Sequence, residues 1–131
     1  MNPEQVAAKF SEAYPVGDLD GLRQVFHPDA AIWHNFDGRE QSVEENLTML
    51  AGIMSAHTLR YVDIRTHCSD GVVVQQHRVL IDEQTECAVV EACMVMHVTD
   101  GRITRLDEYL DPAQLAVLQS AVAPDSAPVP R

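Results

Sequence analysis

Three titratable side chains interrupt stretches of the sequence that are otherwise apolar and typical of β-strands. His34 and His77 each lie in such a run, and Glu108 lies between two leucines that share its side of a strand. A histidine can accept or donate a proton near neutral pH, and a carboxylic acid among apolar neighbours can serve as its counterpart. If the fold brings these residues together, they predict general acid–base chemistry without a cofactor.

Strand alternation indicates which of these side chains point the same way. Successive residues of a strand face opposite sides of its sheet, so Leu106, Glu108 and Leu110 share one face. The same rule places Arg78 on the face opposite His77. The residues expected to face inward with His77 and Glu108 are apolar or uncharged: Gln75, Val79, Ile81, Val90, Ala92, Met94 and Met96.

Other kinds of site have little support in the sequence. The histidines show no HxH or HxxxH spacing, so we predict no metal site. The chain also lacks a Gly-rich phosphate loop and a Gly-x-Ser-x-Gly motif, which argues against nucleotide hydrolysis and serine-hydrolase chemistry.

Composition and charge exclude several classes of partner. The chain has 131 residues, is 46% hydrophobic, and carries nine Lys+Arg against twenty Asp+Glu, a formal net charge of −11. This acidic balance predicts a soluble globular protein that binds neither nucleic acid nor an anionic membrane surface. The three cysteines form no CxxC pair, and neither a secretory signal nor a membrane-spanning stretch is visible. These features predict a cytoplasmic protein with reduced thiols.

Capping signals predict three helices in the first half of the chain. Asn2 and Ser42 each begin a capping box followed by apolar residues at helical spacing. Asp18 is expected to open a short helix between them, which carries Phe26 and ends before Pro28.

The second half of the chain has the composition of β-strands. The Asp70-Gly71 and Asp100-Gly101 dipeptides separate consecutive runs, and Asp-Gly favours tight hairpin turns. The runs therefore predict an antiparallel meander preceded by one short strand, over Ala30–Asn35, Leu59–Cys68, Val72–Ile81, Cys87–Val98 and Ile103–Leu110.

Helices followed by a meander predict a single α+β domain over residues 1–122. We expect a strongly curved, mostly antiparallel sheet wrapped around the N-terminal helices, with a ligand pocket between them. Asp111 is expected to cap a final helix that bears Leu115 and Leu118, and residues 123–131 to form a disordered Pro- and Ala-rich tail. The outer sheet face needs a cover, which predicts a homodimer through that face.

Particular strings in the sequence resemble the nuclear transport factor 2-like superfamily, in its branch of ketosteroid isomerases and SnoaL-like polyketide cyclases. They are VGDLDGL at residues 16–22, FHPDAAIWHN at 26–35, DGRE at 37–40 and DGRITRLDEYLDP at 100–112, and the resemblance covers roughly residues 3–118. It implies a cone-like α+β barrel. It does not specify a reaction, because this fold carries isomerases, cyclases, dehydratases, epoxide hydrolases and binding domains.

The resemblance implies roles for individual residues. The position of the isomerase general base, counted from Asp29-Ala30, is occupied by His34. The isomerase oxyanion-hole positions correspond to Phe10 and Met94, which are apolar and argue against steroid isomerisation. The acidic position on the last strand of the cyclase-like branch corresponds to Glu108.

These observations predict a cofactor-free acid–base enzyme acting on a small hydrophobic carbonyl or cyclic compound by isomerisation, cyclisation or dehydration. His34 would be the base, with His77 and Glu108 as acids or stabilisers of an enolate oxygen. The alternative is a non-catalytic ligand-binding or dimerisation module, and an epoxide-hydrolase-like arrangement would need Arg78 to face inward. The ligand pocket is expected to be lined by Phe10, Tyr14, Ile32, Met54, Gln75, Val79, Met94, Met96 and Leu106.

Overall fold

The computed structural model of the chain describes residues 1–116. It contains three α-helices, α1 (Pro3–Ala13), α2 (Leu19–Val25) and α3 (Val43–Ala56). Six strands follow or separate them: β1 (Phe26–His34), β2 (Glu40–Gln41), β3 (Leu59–Ser69), β4 (Val72–Ile81), β5 (Ala88–Thr99) and β6 (Arg102–Leu110). A 3₁₀ helix over Pro112–Leu115 closes the described part of the chain.

The three helices begin where the capping signals predicted. The side chain of Asn2 accepts a hydrogen bond from the backbone N–H of Gln5, and the side chain of Gln5 accepts one from the backbone N–H of Asn2. Ser42 forms the same reciprocal pair with the third residue of α3, and Asp18 caps α2. Each cap satisfies backbone donors that a helix N-terminus leaves without a partner.

All six strands form one sheet in the order β2-β1-β6-β5-β4-β3. Strands β3 to β6 are the predicted antiparallel meander, while β1 pairs with β6 in parallel. Both predicted Asp-Gly turns are confirmed: φ is 49° and 78° at Asp70 and Gly71, and 50° and 77° at Asp100 and Gly101. This left-handed backbone at both central residues matches the twist of a tight hairpin.

The structure corrects two predicted boundaries and adds a strand. Phe26 is not in α2 but begins β1, where it is buried and pairs with Ile103. The register then shifts before Ala31, because Pro28 has no N–H to donate to a neighbouring strand. The final helix is a short 3₁₀ helix that contains Leu115, whereas Leu118 and the predicted tail lie outside the described residues. The two-residue strand β2 had no sequence signal of its own.

The inner face of the sheet forms two apolar clusters, one with the α-helices and one with the 3₁₀ helix. The larger cluster combines helix residues such as Phe10 and Leu50 with strand residues such as Met94 and Leu106. The smaller cluster contains Val79, Ile81, Val90 and Leu115. The α+β class and the mixed, mostly antiparallel sheet are those predicted from the sequence.

Candidate active site

A band of polar side chains separates the two apolar clusters on the inner face of the sheet. It consists of His34 on β1, Glu108 on β6, and Gln75 and His77 on β4, and we call these four residues the polar band. Their exposed fractions are 2%, 9%, 1% and 3%, respectively. Buried polar groups are costly unless they are hydrogen-bonded, so four of them on one face indicate a purpose other than packing.

Strand register places His34 beside Glu108. The two residues are direct partners in the parallel pairing of β1 with β6, and His34 Nε2 lies 3.3 Å from Glu108 Oε1. Glu108 in turn is opposite Met94 on β5, which is opposite Gln75 on β4. The polar band therefore runs across the strands, perpendicular to the chain direction.

Asn35 fixes the end of β1 against β6. Its side-chain nitrogen donates to the carbonyl oxygen of Leu110 at 3.0 Å, and its side-chain oxygen accepts from the Leu110 amide at 2.9 Å. The backbone N–H of Asn35 also donates to the backbone carbonyl oxygen of Glu108 at 3.1 Å. These three bonds join Asn35, the residue after His34, to Glu108 and to Leu110 on β6. This role of Asn35 could not be predicted from the sequence, because nothing local to Asn35 indicates its partner.

His77 is held by an aromatic ring and an amide. Its ring stacks on Tyr61, with ring centroids 4.1 Å apart, and its Nδ1 lies 3.3 Å from Gln75 Nε2. Burial lowers the pKa of His77, against the smaller opposing effect of the Glu108 carboxylate. The ring is therefore a neutral imidazole at physiological pH.

Two tyrosines complete the surroundings of the polar band. The Tyr14 and Tyr61 rings stack with centroids 6.1 Å apart, which continues the stack that ends on His77. Burial, and secondarily the nearby Glu108 carboxylate, raises the pKa of both phenols. Both hydroxyls therefore remain protonated and can donate hydrogen bonds. Tyr61 was not among the predicted site residues, although its alternation with Leu59 along β3 was a usable signal.

The remaining residues expected to line the site all pack from the inner side. Phe10, Ile32, Met94, Met96 and Leu106 are buried in the larger cluster, and Tyr14 and Met54 pack against it. Val79 belongs to the smaller cluster. These side chains surround the polar band with apolar surface.

The outer face of the sheet carries the other charged residues of these strands. Arg78 is exposed on the face opposite His77, as alternation predicted. Its Nη1 lies 3.5 Å from Asp63 Oδ2. Arg78 is therefore not available for an inward Asp-Arg-Asp arrangement. Trp33 and Tyr109 form an edge-to-face pair on this outer face, with centroids 5.3 Å apart.

Residues 1–116 show neither a grouping of metal ligands nor a membrane-spanning helix. In this part of the chain no three His, Cys, Asp or Glu side chains are grouped so that they could hold a metal ion. None of the helices described here is long and apolar enough to cross a membrane. The cytoplasmic location expected from the cysteines stays a prediction.

Comparison with known proteins gives one family and a consistent set of folds. The model of the SnoaL-like domain matches residues 7–106. The structure of IdmH from Streptomyces antibioticus, a proposed polyketide cyclase, has a TM-score of 0.75 and 20% identity, covering 93% of this chain and 100% of that one. An LEH-like epoxide hydrolase from M. tuberculosis has a TM-score of 0.73 and 18% identity, covering 86% and 84%.

A third solved structure is a proposed polyketide cyclase from Pseudomonas putida. It has a TM-score of 0.75 and 15% identity and covers 94% of this chain and 99% of that one. A search of curated protein sequences finds no match. At these identities the likeness to solved structures establishes the fold, and the reaction must be argued from the site.

Proposed function

The chain belongs to the SnoaL-like domain family, and from its polar band we propose that it is a cofactor-independent acid–base enzyme. Its substrate would be a small hydrophobic compound with a carbonyl group, and its reaction an isomerisation, cyclisation or dehydration. The observation that carries this proposal is the buried contact between His34 Nε2 and Glu108 Oε1, 3.3 Å apart on an otherwise apolar face.

This contact supports His34 as the base. A carboxylate oxygen accepts hydrogen bonds, so the Glu108 oxygen 3.3 Å from Nε2 would favour the imidazole proton on that nitrogen. The other ring nitrogen, Nδ1, then carries a lone pair, and it is buried without a hydrogen-bond partner among the described residues. His34 Nδ1 is therefore the atom that would remove a proton from carbon, while Glu108 stabilises the resulting imidazolium.

The product of that step would be an enolate, which needs hydrogen-bond donors at its oxygen. His77, Tyr14 and Tyr61 lie on the same side of the sheet and are neutral, so they supply such donors without adding charge. Return of the proton from His34 to another carbon would give isomerisation. Attack of the enolate on a second carbonyl, with the proton passing to the new alkoxide, would give cyclisation, and loss of a β-hydroxyl as water, with the same proton, would give dehydration. All three outcomes share the first step.

The shared step can be tested before the natural substrate is known. A hydrophobic ketone such as 2-tetralone is incubated with the protein in D₂O, and deuterium entry next to the carbonyl is followed by NMR. We expect exchange above the buffer rate, and we expect His34→Ala to abolish it. His97→Ala is the matched control, because His97 is an exposed histidine on β5. Exchange that is unchanged in His34→Ala, His77→Ala and Glu108→Ala would refute the proposal.

The second candidate is a non-catalytic binding module of the same fold. It is favoured by the apolar residues Phe10 and Met94, which are both buried in the larger cluster and offer no hydrogen bond to an oxyanion. Under this alternative the ketone would bind without any exchange, and the polar band would only orient it.

A further inference from the structure

We propose that Gln75 holds the His77 ring with its proton on Nε2, so that His77 presents an N–H donor to a ligand oxygen and does not act as a base. The acceptor would be a carbonyl oxygen that becomes an enolate. The part concerning the ligand rests on the proposed function, whereas the part concerning the ring proton does not.

The contacts of the Gln75 amide determine the direction of its hydrogen bonds. Gln75 Nε2 lies 2.8 Å from Ser11 Oγ and 3.3 Å from His77 Nδ1. An amide nitrogen has two hydrogens and no available lone pair, so it donates to both partners. Gln75 Oε1 faces Thr66 Oγ1 at 3.5 Å on the other side. His77 Nδ1 is therefore an acceptor, and the single proton of the neutral ring lies on Nε2.

The ring cannot turn easily to change this arrangement. Tyr61 covers one face of it at a centroid distance of 4.1 Å, and Gln75 is anchored from α1 by Ser11. His77 Nε2 is buried and has no hydrogen-bond partner in the described part of the chain. A buried donor without a partner costs free energy, which an oxygen of a bound molecule would recover.

The groups that face His77 favour a neutral ring. Glu108 on β6 is the only carboxyl group of the polar band. The elements β3 and α1 contribute the protonated Tyr61 and Tyr14, and β5 places the apolar Ala92 opposite His77. Desolvation lowers the pKa of His77 and outweighs the effect of Glu108.

The two histidines of the polar band are therefore complementary. His34 Nε2 lies 3.3 Å from a Glu108 oxygen, and its Nδ1 has no hydrogen-bond partner among the described residues. His77 accepts from Gln75 on Nδ1, and its Nε2 has no partner there. Under the proposed function, His34 on β1 would remove a proton from carbon, and His77 on β4 would donate to the oxygen on which charge appears. A ligand with an acidic C–H next to a carbonyl would suit both roles.

The ring proton can be observed directly. Protein labelled with ¹⁵N-histidine is studied at pH 7.5 by long-range ¹H–¹⁵N correlation NMR, which distinguishes protonated from unprotonated ring nitrogens. We expect His77 to show protonated Nε2 and unprotonated Nδ1. Gln75→Glu replaces the donor with an acceptor and should move the proton to Nδ1 or charge the ring. Gln76→Glu, which adds the same charge at the exposed neighbouring position, should leave the pattern unchanged.

A wild-type His77 protonated on Nδ1, or on both nitrogens at pH 7.5, would overturn the inference. Ser11→Ala gives a second variant if Gln75→Glu does not fold, and it should weaken the preference for Nε2 by freeing the Gln75 amide. In the ketone exchange assay, Gln75→Glu should lower the rate at least tenfold while Gln76→Glu does not. Failure of every ketone to exchange in a protein whose His77 has the expected proton would refute the proposed function and leave the assignment of the ring proton intact.

Discussion

His34 and Glu108 are adjacent because β1 and β6 pair in parallel, which aligns the last residue of one strand with the seventh of the other. Their side chains meet at 3.3 Å on the buried face. In this arrangement a carboxyl group faces one nitrogen of a histidine ring. The other ring nitrogen, His34 Nδ1, has no hydrogen-bond partner among the described residues.

The first prediction concerns Glu108. Glu108→Gln should lower the rate of ketone exchange by roughly 10²-fold, within the range that general acid–base groups contribute, because an amide no longer stabilises the imidazolium of His34. Asp107→Asn is the control, since Asp107 lies next to Glu108 in sequence but contacts Arg105 instead. A Glu108→Gln protein that is folded and retains the full exchange rate would show that His34 does not depend on Glu108.

The second prediction concerns Asn35. Asn35→Ala removes both side-chain bonds to Leu110 and leaves a half-buried carbonyl and backbone N–H without these partners. The free energy of unfolding in urea should fall by about 1–3 kcal/mol. The rate of ketone exchange should fall as well, because the hydrogen bonds of Asn35 that hold the end of β1 beside β6, next to His34, are lost. Asp29→Ala, at an exposed position of the same strand, should change neither quantity. Equal stability of the Asn35→Ala and wild-type proteins would contradict this account.

The third prediction is a pH dependence of stability caused by His77. Because burial lowers the pKa of His77 in the folded protein below the 6.5 of a free histidine, the unfolded chain binds the proton more readily. The contribution of His77 to the free energy of unfolding is therefore fully present above about pH 6.5. It is lost as the pH falls through the pKa of His77 in the folded protein. Urea unfolding at pH 7.5 and pH 5.5 should show a smaller loss of stability in His77→Gln than in wild type. The same loss in both proteins would exclude His77 as a source.

The fourth prediction is a homodimer through the outer face of the sheet. Tyr109 is 47% exposed and packs on Trp33, and Val89 on the neighbouring strand is 39% exposed. A second copy would cover these apolar groups, as interfaces between subunits commonly do. Sedimentation should show a dimer at micromolar concentration for the wild type and a monomer for Tyr109→Glu. Val16→Glu, at an exposed apolar residue between α1 and α2, is the control and should remain dimeric.

Local signals in the sequence were sufficient for most of the fold. Capping boxes marked the starts of α1 and α3, and the Asp-Gly turns joined β3 to β4 and β5 to β6. Alternation placed His77 and Arg78 on opposite faces, and together with the family resemblance it placed Glu108 on the inner face. These features depend on residues that are close together in the chain, so they can be predicted from the sequence.

What could not be predicted depends on contacts between distant segments. The bonds from Asn35 to Leu110 and from Ser11 to Gln75 join residues far apart in sequence, and neither has a local pattern. The stack of Tyr61 on His77 needs the register of β3 against β4, which includes an irregularity between Val62 and Arg65. The tautomer of His77 follows only from these distances.

The parallel pairing of β1 with β6 also sets the order in which the protein can assemble. The Asn35 side chain reaches a residue 75 positions away, whereas the hairpins of the meander close over a few residues. Long-range closure costs more chain entropy and comes later in folding than local pairing. The contact between His34 and Glu108 is therefore expected to form after the hairpins, so a partly folded chain would have the meander without the proposed site.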